Sequence, residues 1–148
     1  MIMKSLSLVL IFVSAFLSAQ NSDEIQVKTA VNQLFEAMKE ADSAKVVQAF
    51  STNAVLQTIT KNGEVKEETV KNFAASISKI TKNDAVEKIT FSNILIDGNL
   101  ASVWTPYEFY YKGQFSHCGV NSFQLVKSNN EWKIQYIIDT RRKDNCKK

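Results

Sequence analysis

His117 is the only histidine in the chain, and four residues later Asn121 interrupts a row of apolar residues at alternating positions. An imidazole beside a carboxylate can hold or release a proton near neutral pH. A buried amide needs hydrogen-bond partners from protein, water or ligand. Glu108 is the carboxylate that strand alternation can bring to His117, while Trp104 and Tyr110 would supply aromatic walls. These five residues are the candidate pocket: Trp104, Tyr110, His117 and Asn121 for a ligand, with His117 and Glu108 as the candidates for any catalysis. Asp139 and Arg141, two apart on one strand, face the same way and are expected to form an ion pair that fixes the last strand. No phosphate loop, Ser-His-Asp order or cluster of metal-ligand residues accompanies them. No metal and no cofactor are expected.

The elements that position these residues follow from periodicity. Ala30, Val31, Leu34, Phe35 and Met38 recur at helical spacing after Ser22, which is expected to cap a first helix. Ser43 opens a short second helix, and Thr69 a third, with Val70, Phe73, Ala74, Ile77 and Ile80 on its inner face. Between these two helices, Ala54 to Thr60 is extended and is followed by the turn Asn62-Gly63. After Asn83 the period changes. Strands are expected over Val86–Ile96, Leu100–Tyr111, Phe115–Lys127 and Glu131 to about Arg141, separated by tight-turn residues. Helices first and sheet afterwards is the α+β arrangement, with an antiparallel meander curling around the helices.

Register then fixes faces. If Lys127 opposes Trp132, then Leu125 opposes Ile134, Phe123 opposes Tyr136 and Asn121 opposes Ile138, with His117 and Arg142 on the same face. In the preceding hairpin a two-residue loop, Lys112-Gly113 or Gly113-Gln114, puts Trp104, Glu108 and Tyr110 on that face. A three-residue loop would substitute Tyr107 and Phe109. The shorter loop is favoured because tight hairpins dominate.

The first residues read as a secretory leader: Lys4, an apolar run from Leu6 to Leu17, then Ser18-Ala19. The run is too short for a membrane anchor, which takes about 20 apolar residues. Cleavage after Ala19 leaves 129 of the 148 residues as one domain, 20–148, with net charge +2, since Lys4 is the only charge lost. That balance gives no pull toward nucleic acid or membrane. The expected location is secreted or periplasmic. The only two cysteines, Cys118 and Cys146, are therefore expected to be joined, Cys146 folding back across the sheet.

The order helix, helix, strand, helix, long meander resembles the nuclear transport factor 2-like superfamily, a cone-shaped α+β fold related to the cystatin-like roll. Trp132-Lys133-Ile134 is similar to the element that ends many members. Trp104-Thr105-Pro106-Tyr107-Glu108-Phe109, Ser116-His117-Cys118-Gly119 and Asp139-Thr140-Arg141-Arg142 resemble small exported bacterial proteins described as "putative lumazine-binding". The resemblance implies a pocket in the cone. Superfamily enzymes include isomerases, dehydratases and hydrolases. Ketosteroid isomerase places its carboxylate base where this chain has Ala54-Val55-Leu56-Gln57-Thr58, a stretch without an acid, so that mechanism does not carry over. The leading expectation is a non-catalytic domain holding a small-molecule ligand. The alternatives are an enzyme using His117 with Glu108, and a homodimer formed through the exposed sheet face with no ligand.

Overall fold

The computed structural model describes residues 4–146, with side chains from Ser22 onward. The leader-like stretch 1–19 thus has its defining side chains outside the described residues. Three helices, α1 (Lys4–Lys39), α2 (Ser43–Ala49) and α3 (Val70–Ile77), pack on one curved sheet. Its strands are β1 (Phe50–Ile59), β2 (Val65–Glu68), β3 (Ala85–Ile89), β4 (Asn93–Asp97), β5 (Leu100–Tyr111), β6 (Gln114–Ser128) and β7 (Glu131–Arg142). The strand order is β2-β1-β7-β6-β5-β3, and β4 also pairs with β5. The class is α+β, as expected.

The apolar stripe of α1 is the centre of the core. Val27, Val31, Leu34 and Phe35 are buried with Val103, Phe123, Leu125 and Ile134 of the sheet. The Phe35 and Phe123 rings meet edge to face at 6.1 Å, the arrangement that aromatic quadrupoles favour. Ser22 caps nothing, because α1 continues upstream of it. No proline or glycine stands between Lys4 and Lys39 to stop the helix. α2 is capped by Asp42, whose carboxylate accepts from the Lys45 N–H, rather than by Ser43. Thr69 caps α3 as the sequence indicates, accepting from the Asn72 N–H.

The stretch expected as one strand over Val86–Ile96 is two, β3 and β4, both paired with β5. The interruption lies opposite Thr105 and Pro106, and Pro106 has no N–H with which to continue the ladder. The meander is antiparallel, but β1 runs parallel to β7 beside it, and β2 extends the sheet as a further antiparallel edge.

Two β-bulges decide which residues face inward. In β7, Leu125 opposes Ile134 as expected, but Gln124 opposes Tyr136, so Gln135 is an extra residue. Its side chain is held by β1: it accepts from the Ser51 hydroxyl at 2.6 Å and donates to the Asn53 carbonyl at 3.0 Å. Beyond this bulge Asn121 opposes Asp139, not Ile138, and Gly119 opposes Arg141. In β6, the hairpin loop is the two-residue Lys112-Gly113, yet Tyr110 opposes Phe115 while Phe109 opposes His117. Ser116 is the extra residue there. It has the effect on register that a third loop residue would have had.

Cys118 and Cys146 form a disulfide with 5.8 Å between Cα atoms. It ties the chain beyond β7 to the face of β6 opposite the helices.

Candidate functional site

A cavity of about 400 Å³ opens between the helices and the inner face of the sheet. Leu34, Phe35 and Met38 of α1, Phe73 and Ile77 of α3, and Phe109 and Ile137 of the sheet form apolar walls. A larger groove of about 620 Å³ runs along α1 and α2, but solvated Gln, Glu and Lys side chains line much of it. The sheet cavity combines apolar walls with buried polar groups, the composition of ligand sites.

Those polar groups lie in a belt across five strands. Thr105, Asn121 and Asp139 are 0%, 4% and 7% exposed. The Asn121 amide nitrogen donates to Glu87 Oε1 at 2.7 Å and to Thr105 Oγ1 at 3.4 Å. Asp139 accepts from Thr58 at 2.5 Å on one oxygen. On the other it accepts from Arg141 Nε at 2.8 Å and the Tyr107 hydroxyl at 3.1 Å. The same hydroxyl is shared with the Thr140 carbonyl at 2.9 Å. Arg141 completes the ring with a 3.1 Å bond to Thr58 Oγ1. The Asp139–Arg141 pair is the ion pair read from the sequence, and it stands at the cavity as well as on the strand.

His117 lines the same cavity, its ring packed against Phe109 with 5.0 Å between centroids and edge-on to Tyr107 at 5.7 Å. Its Nδ1 lies 3.0 Å from the Ser116 hydroxyl. Burial, and then the positive charge of Arg141, hold its pKa below the usual value.

Glu87 is a half-buried residue with an enclosed carboxyl. Burial pushes its pKa up to about 7, the Asn121 donor opposing and the Asp139 charge adding to the rise. The folded protein therefore binds a proton here that the unfolded chain releases near 4.5. The resulting stability is present below about pH 4.5 and is lost as pH rises through about 7. A rise of that size corresponds to about 3 kcal/mol. His117 acts in the opposite sense, its contribution being lost as pH falls below its ordinary range. Glu87→Gln keeps an acceptor for Asn121 and removes the titration. Urea unfolding should show it gaining about 3 kcal/mol on the wild type between pH 4 and pH 8. A constant difference between the two chains would show that Glu87 titrates normally.

The structure brings His117 and Asn121 together at the cavity and removes the rest of the predicted set from it. Trp104 opposes Ser122 on the outer face and is 49% exposed. Glu108 and Tyr110 share that outer face, where the Tyr110 hydroxyl donates to Glu108 at 2.8 Å and Lys88 lies over the Tyr110 ring. The cause is the Ser116 bulge, which brings Thr105, Tyr107 and Phe109 inward in their place. Arg142 likewise yields its inner position to Arg141 because of the Gln135 bulge. Glu87 escaped the sequence reading. Its one signal is that a charged residue alternates with Ala85 and Ile89, both on the inner row.

A family model described as "Putative lumazine-binding" matches residues 22–136. The chain belongs to that family. Comparison with curated proteins gave no match. Among solved structures, an NTF2-like protein of unknown function from Silicibacter pomeroyi superposes with a TM-score of 0.68 at 15% identity, covering 83% of this chain and 98% of that one. One from Shewanella baltica gives 0.66 at 17%, covering 82% and 94%. A cystatin-like protein of unknown function from Nostoc punctiforme gives 0.63 at 18%, covering 82% and 78%. These likenesses establish the NTF2-like fold of this family member. No helix among the described residues is long and apolar enough to cross a membrane.

Proposed function

We propose that this chain is an exported small-ligand-binding domain that holds a flat, partly heteroaromatic molecule in the sheet cavity without transforming it. The observation that carries this reading is the polar belt of Glu87, Asn121, Asp139 and Arg141 at one side of an otherwise apolar cavity. The volume is near the lower end of the range for small-molecule sites, enough for a fused bicycle and little more. The family description adds the ligand class to be tried first.

A catalytic reading on His117 with Glu108 lacks its carboxylate, because Glu108 is on the far side of the sheet. Export is supported by Lys4, the apolar run to Leu17 and the small residues before Gln20, together with the disulfide. Protein recovered from the export compartment should begin at Gln20, as read by N-terminal sequencing.

The binding test is calorimetric titration with lumazine. Binding is expected to the wild type, and Asn121→Leu should weaken it about tenfold or more through loss of a buried polar partner. An unchanged affinity in a folded Asn121→Leu chain would place the ligand elsewhere, and no heat with either protein would remove lumazine from consideration.

A further inference from the structure

Among the described residues that line the sheet cavity, Arg141 is the only lysine or arginine. Its side chain is 55% exposed, so it stands where the cavity meets solvent. Resting on the binding proposal above, we infer that the ligand carries an anionic group, a carboxylate in its simplest form, held by Arg141 at this mouth. A guanidinium is a planar fork with five N–H groups. Two are used within the protein: Nε donates to Asp139 Oδ2, and Nη2 donates to Thr58 Oγ1. Nε and Nη2 form the side-on edge of the fork, and both partners belong to the polar belt. Among the described residues, nothing accepts from Nη1 or from a second hydrogen of Nη2. These make up the end-on edge, whose two parallel N–H groups match the two oxygens of a carboxylate.

An ordinary surface arginine must give up side-chain freedom to bind an anion, which takes back much of what the contact yields. Here Asp139 and Thr58 already hold the guanidinium, so the free edge is oriented before any ligand arrives. Asp139 itself is fully engaged, with Thr58 on one oxygen and Tyr107 and Arg141 on the other. The charges nearby are also favourable. The pKa of His117 is held down first by burial and then by Arg141, with Asp139 opposing and Lys143 adding to the fall. Lys143 therefore supplies a second positive charge at the same end of the sheet. Glu68 borders the cavity too, but it shares a row with Leu56 and Ile137. Ile137 is four residues before Arg141 on β7, roughly 13 Å at strand spacing. The apolar walls would then hold the flat body of the ligand, and Arg141 its charged substituent.

The test titrates lumazine, its 6-carboxylate and its 7-carboxylate into wild type and Arg141→Gln at about pH 6. There Glu87 is largely protonated and sets little negative charge against the anion. Both isomers are needed because the seating of the bicycle decides which position reaches the mouth. At least one carboxylate should bind wild type about tenfold or more tightly than lumazine, the scale of one charge-assisted hydrogen-bonded contact. In Arg141→Gln that ratio should shrink to about twofold or less. A second comparison needs no variant: the carboxamide of the better isomer, equal in size but neutral, should bind wild type about fivefold or more weakly than its carboxylate. Carboxylates no tighter than lumazine, a carboxamide equal to its carboxylate, or a preference that survives in folded Arg141→Gln would each overturn the assignment to Arg141. Each would leave the binding cavity in place. Absence of binding by all the compounds at millimolar concentration would overturn the assignment and the heterocycle reading together.

Discussion

Gly119→Ala should destabilise the fold by about 3 kcal/mol or more, at or beyond the upper end of what overpacking ordinarily costs, because the site has no room to relax. A methyl group at this position would lie 1.7 Å from the Thr140 carbonyl oxygen and 2.8 Å from Cε1 of Tyr107. The carbonyl belongs to the neighbouring strand, so it moves only if the β6–β7 ladder separates. The ring belongs to the side chain that crosses β6 to reach Asp139 and Thr140. Gly119 has ordinary backbone angles. Its requirement is space, since Tyr107 passes where any Cβ would project. The strand neighbours tie this to the site: Tyr107, Gly119 and Arg141 are directly opposite one another across β5, β6 and β7. Urea denaturation of the Ala variant would measure the loss, and a change under about 1 kcal/mol would mean that the strands separate more easily than this packing implies.

Opening the Cys118–Cys146 bond should cost about 3–4 kcal/mol, from the loop entropy released to the unfolded chain. The two residues are 28 apart. Cys146→Ser is the suitable variant because Cys146 lies near the exposed end, whereas Cys118 is buried and its replacement would disturb packing as well. Thermal unfolding with and without reductant should show the wild type falling to the level of Cys146→Ser, and the variant unaffected by reductant. A wild type indifferent to reductant, with thiols confirmed free, would show that the segment beyond β7 adds nothing to stability. Because Cys118 adjoins His117 and Gly119 in the chain, loosening of the bond should also reach the cavity rim.

The helices and the three long meander strands, β5, β6 and β7, were legible because their apolar residues repeat with the periods of helix and strand over many residues. The disulfide was legible for a different reason, since two cysteines in a chain read from its leader-like start as exported leave one pairing. The site was only half legible. His117 and Asn121 were placed on the correct face because alternation is intact between them. Trp104, Glu108 and Tyr110 were placed on the wrong one because Ser116 occupies a bulge, and a serine in a strand does not announce itself as unpaired. Gln135 misled in the same way, since the Ser51 and Asn53 contacts that hold its bulge come from a strand some 80 residues earlier. Period-two reading has no tolerance for a single unpaired residue, whereas the hydrophobic pattern that defines the elements survives one. Glu87 was missed because an isolated glutamate in a strand ordinarily points to water, and only its tertiary partner Asn121 distinguishes it.

The two indoles sit on opposite faces of the sheet and neither lines the cavity: Trp132 is in the core with α1, and Trp104 is on the outer face. Their emission would therefore report melting of the hydrophobic interior and events at the sheet surface. Entry of a colourless guest would pass unseen by either fluorophore, whereas the Tyr107 and His117 rings are placed to register it as shifted aromatic proton resonances.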